Sequence, residues 1–206
     1  MRTIAFLSQK GGSGKTTLAV HTAVAAQESG EEVVVIDTDP QKSAFDWTES
    51  RPQTAKPVVV AVGSNEIPRV LKAAAADKMT LAIVDSQPHA SPAVAQVARG
   101  VGFVVIPCQP SSVDLRVVKN AVAIVEAAKV RAAFVLSECP SKMPEVTEAR
   151  QVLETYGFPV CPVEIGQRRA FVRAMTTGKA VTEFESSGKA AEEIRALWAW
   201  LKEQTE

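Results

Sequence analysis

The sequence predicts an α/β fold in which a doubly wound, mostly parallel sheet is flanked by helices. Its strand-length apolar runs are continuous instead of alternating, as expected of strands covered on both faces. Helical patterns separate these runs from end to end, and each crossover between parallel strands must be right-handed and cover a sheet face. The first run also opens straight into a glycine-rich turn followed by a helix, an arrangement suited to phosphate.

Taken in order, strands are expected at 3–7 (TIAFL), 32–37 (EVVVID), 57–61 (PVVVA), 81–85 (LAIVD), 101–107 (VGFVVIP) and 131–137 (RAAFVLS). A short seventh is expected at 158–163 (FPVCPV). Each is apolar and most are rich in β-branched residues, which fit a pleated, buried surface. Helices are expected at 16–29, 43–47, 66–76, 92–99, 113–128 and 144–156, and after the last strand at 167–176 and 188–203. The segment 49–57 carries two prolines and reads as a surface loop before the third strand. No linker, repeat or low-complexity tract interrupts the alternation, so residues 1–206 are expected to form a single domain.

Composition excludes several classes. Twenty-three Lys and Arg balance 23 Asp and Glu, so nucleic-acid binding must come from a local patch or from one built by oligomerisation. Cys108, Cys139 and Cys161 are odd in number and far apart, giving neither a disulfide framework nor a metal-binding pair. They are expected to be core thiols. The N-terminal apolar run is too short for a secretory signal, and no stretch approaches the roughly 18 apolar residues of a membrane span. The expectation is a soluble, cytoplasmic domain.

The loop after the first strand reads SQKGGSGKTT, residues 8–17. Gly14, Lys15 and Thr16 match the end of a Walker A motif, while Gln9 replaces its opening glycine. Gly11, Gly12, Ser13 and Gly14 let backbone N–H groups converge on an anion, with the helix N-terminus aimed at the same phosphates. Lys15 is placed to reach the β- and γ-phosphates, Thr16 to ligate Mg²⁺ and Thr17 to cap the α-phosphate. Lys10 is a second lysine that the loop geometry does not need. It is either a solvated surface residue or a charge reaching phosphate on a facing subunit, which would make nucleotide binding and dimerisation one event.

Carboxylates follow two later strands, at the sheet edge where the phosphate loop lies. Asp85 has the Walker B arrangement and is expected to hold Mg²⁺ through water. Asp39 is placed to orient the attacking water. Asp37, nearer the sheet, supports either the metal shell or the loop. His21 lies in the first helix, facing its groove or solvent, and His89 in a loop near the nucleotide; neither has metal-site partners.

These residues carry a resemblance. KGGSGKTT, DTDPQKS and IVDSQP, with VIPCQPSSVDL, GQRRAFVRAMTTGKAV and ESSGKAAEEIRAL further on, are similar to the ParA/MinD family of deviant Walker A ATPases. They resemble most the short ParA-type partition ATPases without an N-terminal helix-turn-helix. The resemblance implies a P-loop NTPase fold and an ATP/ADP and Mg²⁺ switch. An ATP-sandwich homodimer would bind nonspecific DNA on the nucleoid, and a small centromere-binding ParB-type partner would stimulate hydrolysis and release it. Lys10 would cross to the partner's phosphates, with Lys15 as Walker lysine, Thr16 and Asp85 on magnesium, and Asp39 orienting water. Pro107, Gln167 and Arg168 would lie near the adenine pocket or dimer interface. The chain departs from the family pattern at Ser86-Gln87, which implies different coupling to hydrolysis. Ser137 stands where relatives carry an adenine-reading asparagine, which implies looser base selection. As the chain starts at the ATPase strand, operator-specific autorepression is not expected.

Between residues 166 and 189 lie Arg168, Arg169, Arg173, Lys179 and Lys189 against Glu183 and Glu185. Arg169, Arg173, Lys179 and Lys189 are the candidate DNA-binding residues, since doubling such a patch in a dimer suits backbone binding. The tail has an apolar stripe at Ile194, Leu197, Trp198 and Leu201, but an acidic polar side. That pattern predicts packing on the sheet and no membrane binding. Positioning of a protein cluster, or an ATP-dependent ligase on the same fold, are the alternative functions.

Overall fold

The strands Val33–Asp37 (β2) and Leu81–Asp85 (β4) are buried at every residue, which only a sheet covered on both faces permits. The computed structural model describes residues 1–88 and 91–206. Its sheet has six strands in the order β3-β2-β4-β1-β5-β6, with β1 at Arg2–Phe6, β3 at Val58–Ala61, β5 at Phe103–Cys108 and β6 at Arg131–Leu136. Every pairing is parallel. All carboxyl ends therefore share one edge.

The two-residue period of a strand sorts the core into two layers. Ile4, Phe6, Val33, Val35, Leu81 and Ile83 face α1 (Lys15–Glu28), α2 (Ser43–Trp47) and the C-terminal helices α7 (Arg169–Thr176), α8 (Val181–Phe184) and α9 (Lys189–Thr205). Ala5, Leu7, Val34, Ile36, Ala82 and Val84 face α3 (Ile67–Ala76), α4 (Pro92–Gly100), α5 (Ser112–Ala128) and α6 (Pro144–Glu154). In α9 the stripe Ile194, Leu197, Trp198 and Leu201 is buried in the first layer beside α1. Among the described residues no helix is long and apolar enough to cross a membrane. The three cysteines are buried, and burial pushes the Cys161 thiol up to about 11.

The expected seventh strand at 158–163 is not a strand. It touches β6 through a single parallel bridge, Phe134 to Val160. Pro159 accepts from Phe134 N–H and Cys161 donates to the Phe134 carbonyl, but Pro159 has no N–H to extend the pairing towards the start of β6, and the next bond to β6 comes from Ile165 beyond the segment. The helix α8 and the 3₁₀ turns Thr48–Ser50 and Ser64–Glu66 are additions too short for periodicity to reveal.

His21 faces neither groove nor solvent, contrary to expectation. It is fully buried; its Nδ1 accepts the Val181 N–H at 3.1 Å, and its ring lies 5.2 Å from that of Phe171. Burial lowers its pKa to about 3, whereas an unfolded histidine titrates near 6.5. Between those values the unfolded chain holds the extra proton, so this residue makes stability fall as pH falls. At pH 4 its contribution relative to pH 7 is a loss of about 3 kcal/mol. Urea unfolding of wild type and His21→Gln across pH 7 to 4 checks this, and the variant should lack that component of the pH dependence.

Candidate functional site

The turn between β1 and α1 needs glycine where its backbone turns left-handed, at Gly12 (φ 75°) and Gly14 (φ 85°). Gly14 precedes α1, whose N-terminus has no side-chain cap, so the first N–H groups of the helix are available to an anion. This turn floors a cavity of about 580 Å³. Gly11, Gly12, Ser13, Gly14, Lys15, Thr16 and Thr17 all line it. Asp39 and Pro88 add to the wall from the β2 and β4 side, and Ser137, Gln167 and Arg168 from the β6 side.

Lys15 is 6% exposed, and its Nζ donates to the Lys10 carbonyl at 3.2 Å. Burial lowers its pKa, while Asp85 and Asp39 oppose that shift. Asp85 is fully buried, and neither carboxylate oxygen has a hydrogen-bond partner among the described residues. Burial raises its pKa to about 7, with the Thr16 hydroxyl and Lys15 pulling it down and Asp37 pushing it up. An unsatisfied carboxylate beside a threonine hydroxyl is a donor set for a hard, oxygen-seeking cation such as Mg²⁺. Thr16 and Asp85 therefore fit the expected metal roles.

Asp37 does not. Its Oδ1 accepts the Asp39 N–H at 3.0 Å, and its Oδ2 accepts the N–H groups of Ala44 and Phe45 at 2.9 and 3.0 Å. Both oxygens are committed to folding the β2–α2 loop and capping α2, so the loop reading replaces the metal one. This bracing holds Asp39 at the cavity wall, where its own Oδ1 accepts from Gln41 N–H at 2.9 Å. Thr38 Oγ1 donates to the Asp85 carbonyl at 2.9 Å, tying the loop to β4.

Lys10 is not a free surface lysine in the single chain. Its Nζ donates to Asp114 Oδ2 at 2.6 Å and to Gln109 Oε1 at 3.3 Å. Asp114 is 2% exposed and also accepts from Ser111 Oγ at 2.6 Å. Gln109 in turn donates to the Gly12 carbonyl at 2.8 Å. Sequence reasoning missed Gln109 and Asp114. The available signal was Ser111-Ser112-Val113-Asp114, a serine N-cap with an acid three residues on.

Pro107 is buried within β5 and does not line the large cavity; it borders a small one with Ser8, Gln9 and Asp114. Its burial within the covered sheet keeps it off the wall of the large cavity. Ser137 lines the large cavity, but its hydroxyl donates to the Ser13 carbonyl at 3.1 Å and so braces the phosphate loop. Ser86, one of the departures, donates to the Phe6 carbonyl at 2.8 Å and pins the end of β4 to β1. His89 lies outside the described residues.

The basic residues separate cleanly. Arg168 turns inward onto Glu193, while Arg169, Arg173, Lys179 and Lys189 are exposed. Arg173 stacks 5.4 Å from the Phe184 ring. Helix α7 serves both regions, for Val172, Met175 and Thr176 line the cavity. At its C-terminal end a junction ties it to α2. The Arg51 guanidinium lies 4.3 Å over the Trp47 ring, donates to both Glu183 oxygens at 2.7 and 2.8 Å and to the Gly178 carbonyl at 2.7 Å. Trp47 Nε1 donates to the Lys179 carbonyl at 3.3 Å. Gly178 (φ 66°) packs so tightly on Ser50 that a Cβ would lie 2.7 Å from it.

Residues 4–181 match the family described as the CobQ/CobB/MinD/ParA nucleotide binding domain. The maintenance of carboxysome distribution protein A of Gloeobacter kilaueensis is 32% identical over 207 residues, covering 98% of this chain and 93% of that protein. Two solved structures share the fold. The septum site-determining protein MinD of Pyrococcus horikoshii, complexed with Mg-ADP, superposes with a TM-score of 0.83 at 14% identity, covering 98% of this chain and 96% of that one. A Borrelia burgdorferi protein described as a putative plasmid partition protein, bound to AMPPNP, does so at 0.75 and 16%, covering 98% and 99%.

The Arg51 junction should stabilise the fold mainly through the stacking of the guanidinium on Trp47 and its charge-assisted bond to the Gly178 carbonyl, since Glu183 itself remains exposed to solvent. Arg51→Ala should cost about 2 kcal/mol, measured by equilibrium urea unfolding.

Proposed function

The chain belongs to the CobQ/CobB/MinD/ParA nucleotide-binding family, and on that premise we propose that it is a Mg²⁺-dependent ATPase whose ATP form is a DNA-bound homodimer. One observation supports this reading most: α7 walls the same cavity as the phosphate loop and carries Arg169 and Arg173 on its exposed side. A bound nucleotide and a DNA backbone would thus meet adjacent faces of a single helix.

In this reading the Lys15 ammonium leaves the Lys10 carbonyl for the β- and γ-phosphates, where burial strengthens the attraction. Thr16 Oγ1 and, through water, Asp85 would hold Mg²⁺, which when bound would supply charge neutralisation for the transferring phosphoryl group. Asp39 accepts a hydrogen bond from the attacking water and aligns it with the γ-phosphorus, so that ATP and water yield ADP and phosphate. Lys10 exchanges Asp114 for phosphate on a facing subunit, which makes the dimer depend on ATP. Arg169, Arg173, Lys179 and Lys189 of both subunits then form one phosphate-binding surface. A small ParB-type partner stimulates hydrolysis and ends the DNA-bound state, so the protein cycles on and off the nucleoid.

Two cargoes fit the same switch. Partition of a plasmid or chromosome follows from the motif pattern. Positioning of a body other than DNA is favoured by the 32% identity to a protein named for carboxysome distribution. The gene neighbouring this one and its product's binding partner decide between them.

Asp39→Ala should bind ATP and dimerise as wild type does, while its single-turnover hydrolysis falls at least about a hundredfold. A rate near wild type would leave the carboxylate as a loop residue only.

Arg173→Glu should weaken the ATP-state dimer on two unrelated duplexes equally, because groups that meet only phosphate carry no sequence information. Each subunit then neutralises one phosphate fewer, so the log–log salt slope should shrink by about two. Fluorescence anisotropy across a salt series, with ATP and with ADP, is the measurement; equal affinity in both nucleotide states rejects this surface as the switched one.

A further inference from the structure

We infer that Glu193, a residue of α9 outside the cavity lining, is the positioning residue for the nucleoside end of the nucleotide site. It acts through Arg168, and the inference rests on the ATP-binding reading above. Glu193 Oε1 accepts from Arg168 Nε at 3.0 Å and from Nη2 at 2.5 Å. Its Oε2 accepts from Arg168 Nε at 3.1 Å and from the Gly166 backbone N–H at 3.1 Å. One carboxylate thus holds both a side chain and the backbone of the segment that forms this wall of the cavity.

The geometry around it is close. A Cβ on Gly166 would lie 3.1 Å from the Arg168 guanidinium, so the guanidinium packs directly on that backbone. The segment is fastened to the β6 side by Ile165 N–H to the Leu136 carbonyl at 3.0 Å and Gln167 N–H to the Cys139 carbonyl at 2.9 Å. Glu193 is 17% exposed and Arg168 35%, so the carboxylate is backed by protein while the guanidinium reaches the cavity. A charge-assisted, two-pronged pair of this kind fixes orientation as well as position.

The sheet order says which end of a nucleotide this wall meets. Asp39 follows β2 and Asp85 ends β4, both on one side of β1. The Arg168 wall follows β6, on the other side. A terminal phosphate that faces the two carboxylates directs its nucleoside towards Arg168. Of the five guanidinium N–H donors, Glu193 takes the Nε proton and one on Nη2, and the remaining three are donors for acceptor atoms of a ribose or a base. Without Glu193, Arg168 would keep its charge and lose its aim, so the loss should fall on nucleoside recognition and not on the phosphate grip.

The test separates the two ends of the ligand. Wild type, Glu193→Ala, Arg168→Ala and the double variant are compared for KM and kcat of ATP hydrolysis and for inhibition by tripolyphosphate, which has no nucleoside. Glu193→Ala and Arg168→Ala should each raise KM for ATP about tenfold, with a much smaller change in kcat and the same tripolyphosphate inhibition constant as wild type. The double variant should be no worse than Arg168→Ala alone, since one residue acts through the other. Glu193→Gln, which keeps shape but turns an amide NH2 towards one set of the donors that the carboxylate accepts, should recover only part of the loss and provides the comparison if the alanine variant folds poorly. An unchanged KM in Glu193→Ala, a parallel loss of tripolyphosphate inhibition, or additive losses in the double variant overturns the role. A wild-type chain that binds tripolyphosphate but no nucleotide overturns the ATPase reading itself, a result distinct from any of these.

Discussion

Covering both faces of a parallel sheet is the constraint from which the rest of this structure follows. Once α1, α2 and α7 to α9 occupy one face and α3 to α6 the other, no strand interior can hold a charge at tolerable cost. Polar chemistry is confined to the strand ends, and parallel pairing gathers those ends on one edge. The phosphate loop, Asp37, Asp85 and Ser137 are therefore neighbours although they are far apart in the chain. The same constraint excludes Pro107, which lies one residue too early, inside β5.

Crowding polar groups at one edge is expensive, and the groups divide according to how that expense is met. Asp37 is desolvated but receives backbone N–H groups on both oxygens, so it acts as a structural brace. Asp85 is more deeply buried and receives none among the described residues. An unsatisfied carboxylate is a poor stabiliser and a good place for a cation. Lys10 and Asp114 solve a similar problem in the single chain by pairing with each other. In the proposed cycle that pair must open, so the free energy of dimer formation has to exceed what Lys10 gives up on leaving a buried partner.

Helix α7 is short, yet it is fixed at both ends by different parts of the molecule. Its N-terminal end is set by the segment that Glu193 holds. Its C-terminal end runs into the junction of Trp47, Arg51, Gly178 and Glu183, which is continuous through α2 with the Asp37 brace. A loop carrying a candidate hydrolytic carboxylate and a helix carrying exposed arginines thus share one packed support. Such shared supports transmit small displacements because well-packed regions deform as units.

The sequence alone determined the strand and helix order, the phosphate loop and the positions of Asp39 and Asp85, because each has a local signature. Continuous valine and isoleucine runs mark buried strands, closely spaced glycines ahead of Lys15 mark an anion turn, and a carboxylate after an apolar run marks a strand end. Where the local signal was too short or too equivocal, partners distant in sequence decided. An apolar run at 158–163 suggested a strand, but its pairing with β6 stops at the one bridge between Phe134 and Val160. Nothing around His21 announces that Val181, 160 residues on, donates to it. Composition and spacing do not separate adjacent Arg168 and Arg169, which only the family resemblance assigned to different roles; in the fold Glu193 on a later helix holds Arg168 at the cavity wall, while Arg169 is left to solvent. Lys10 looked uncommitted until folding placed Asp114 beside it. The physical reason is the same in each case: covalent neighbours set backbone conformation, whereas the partner of a buried charge or donor is chosen by which elements pack together.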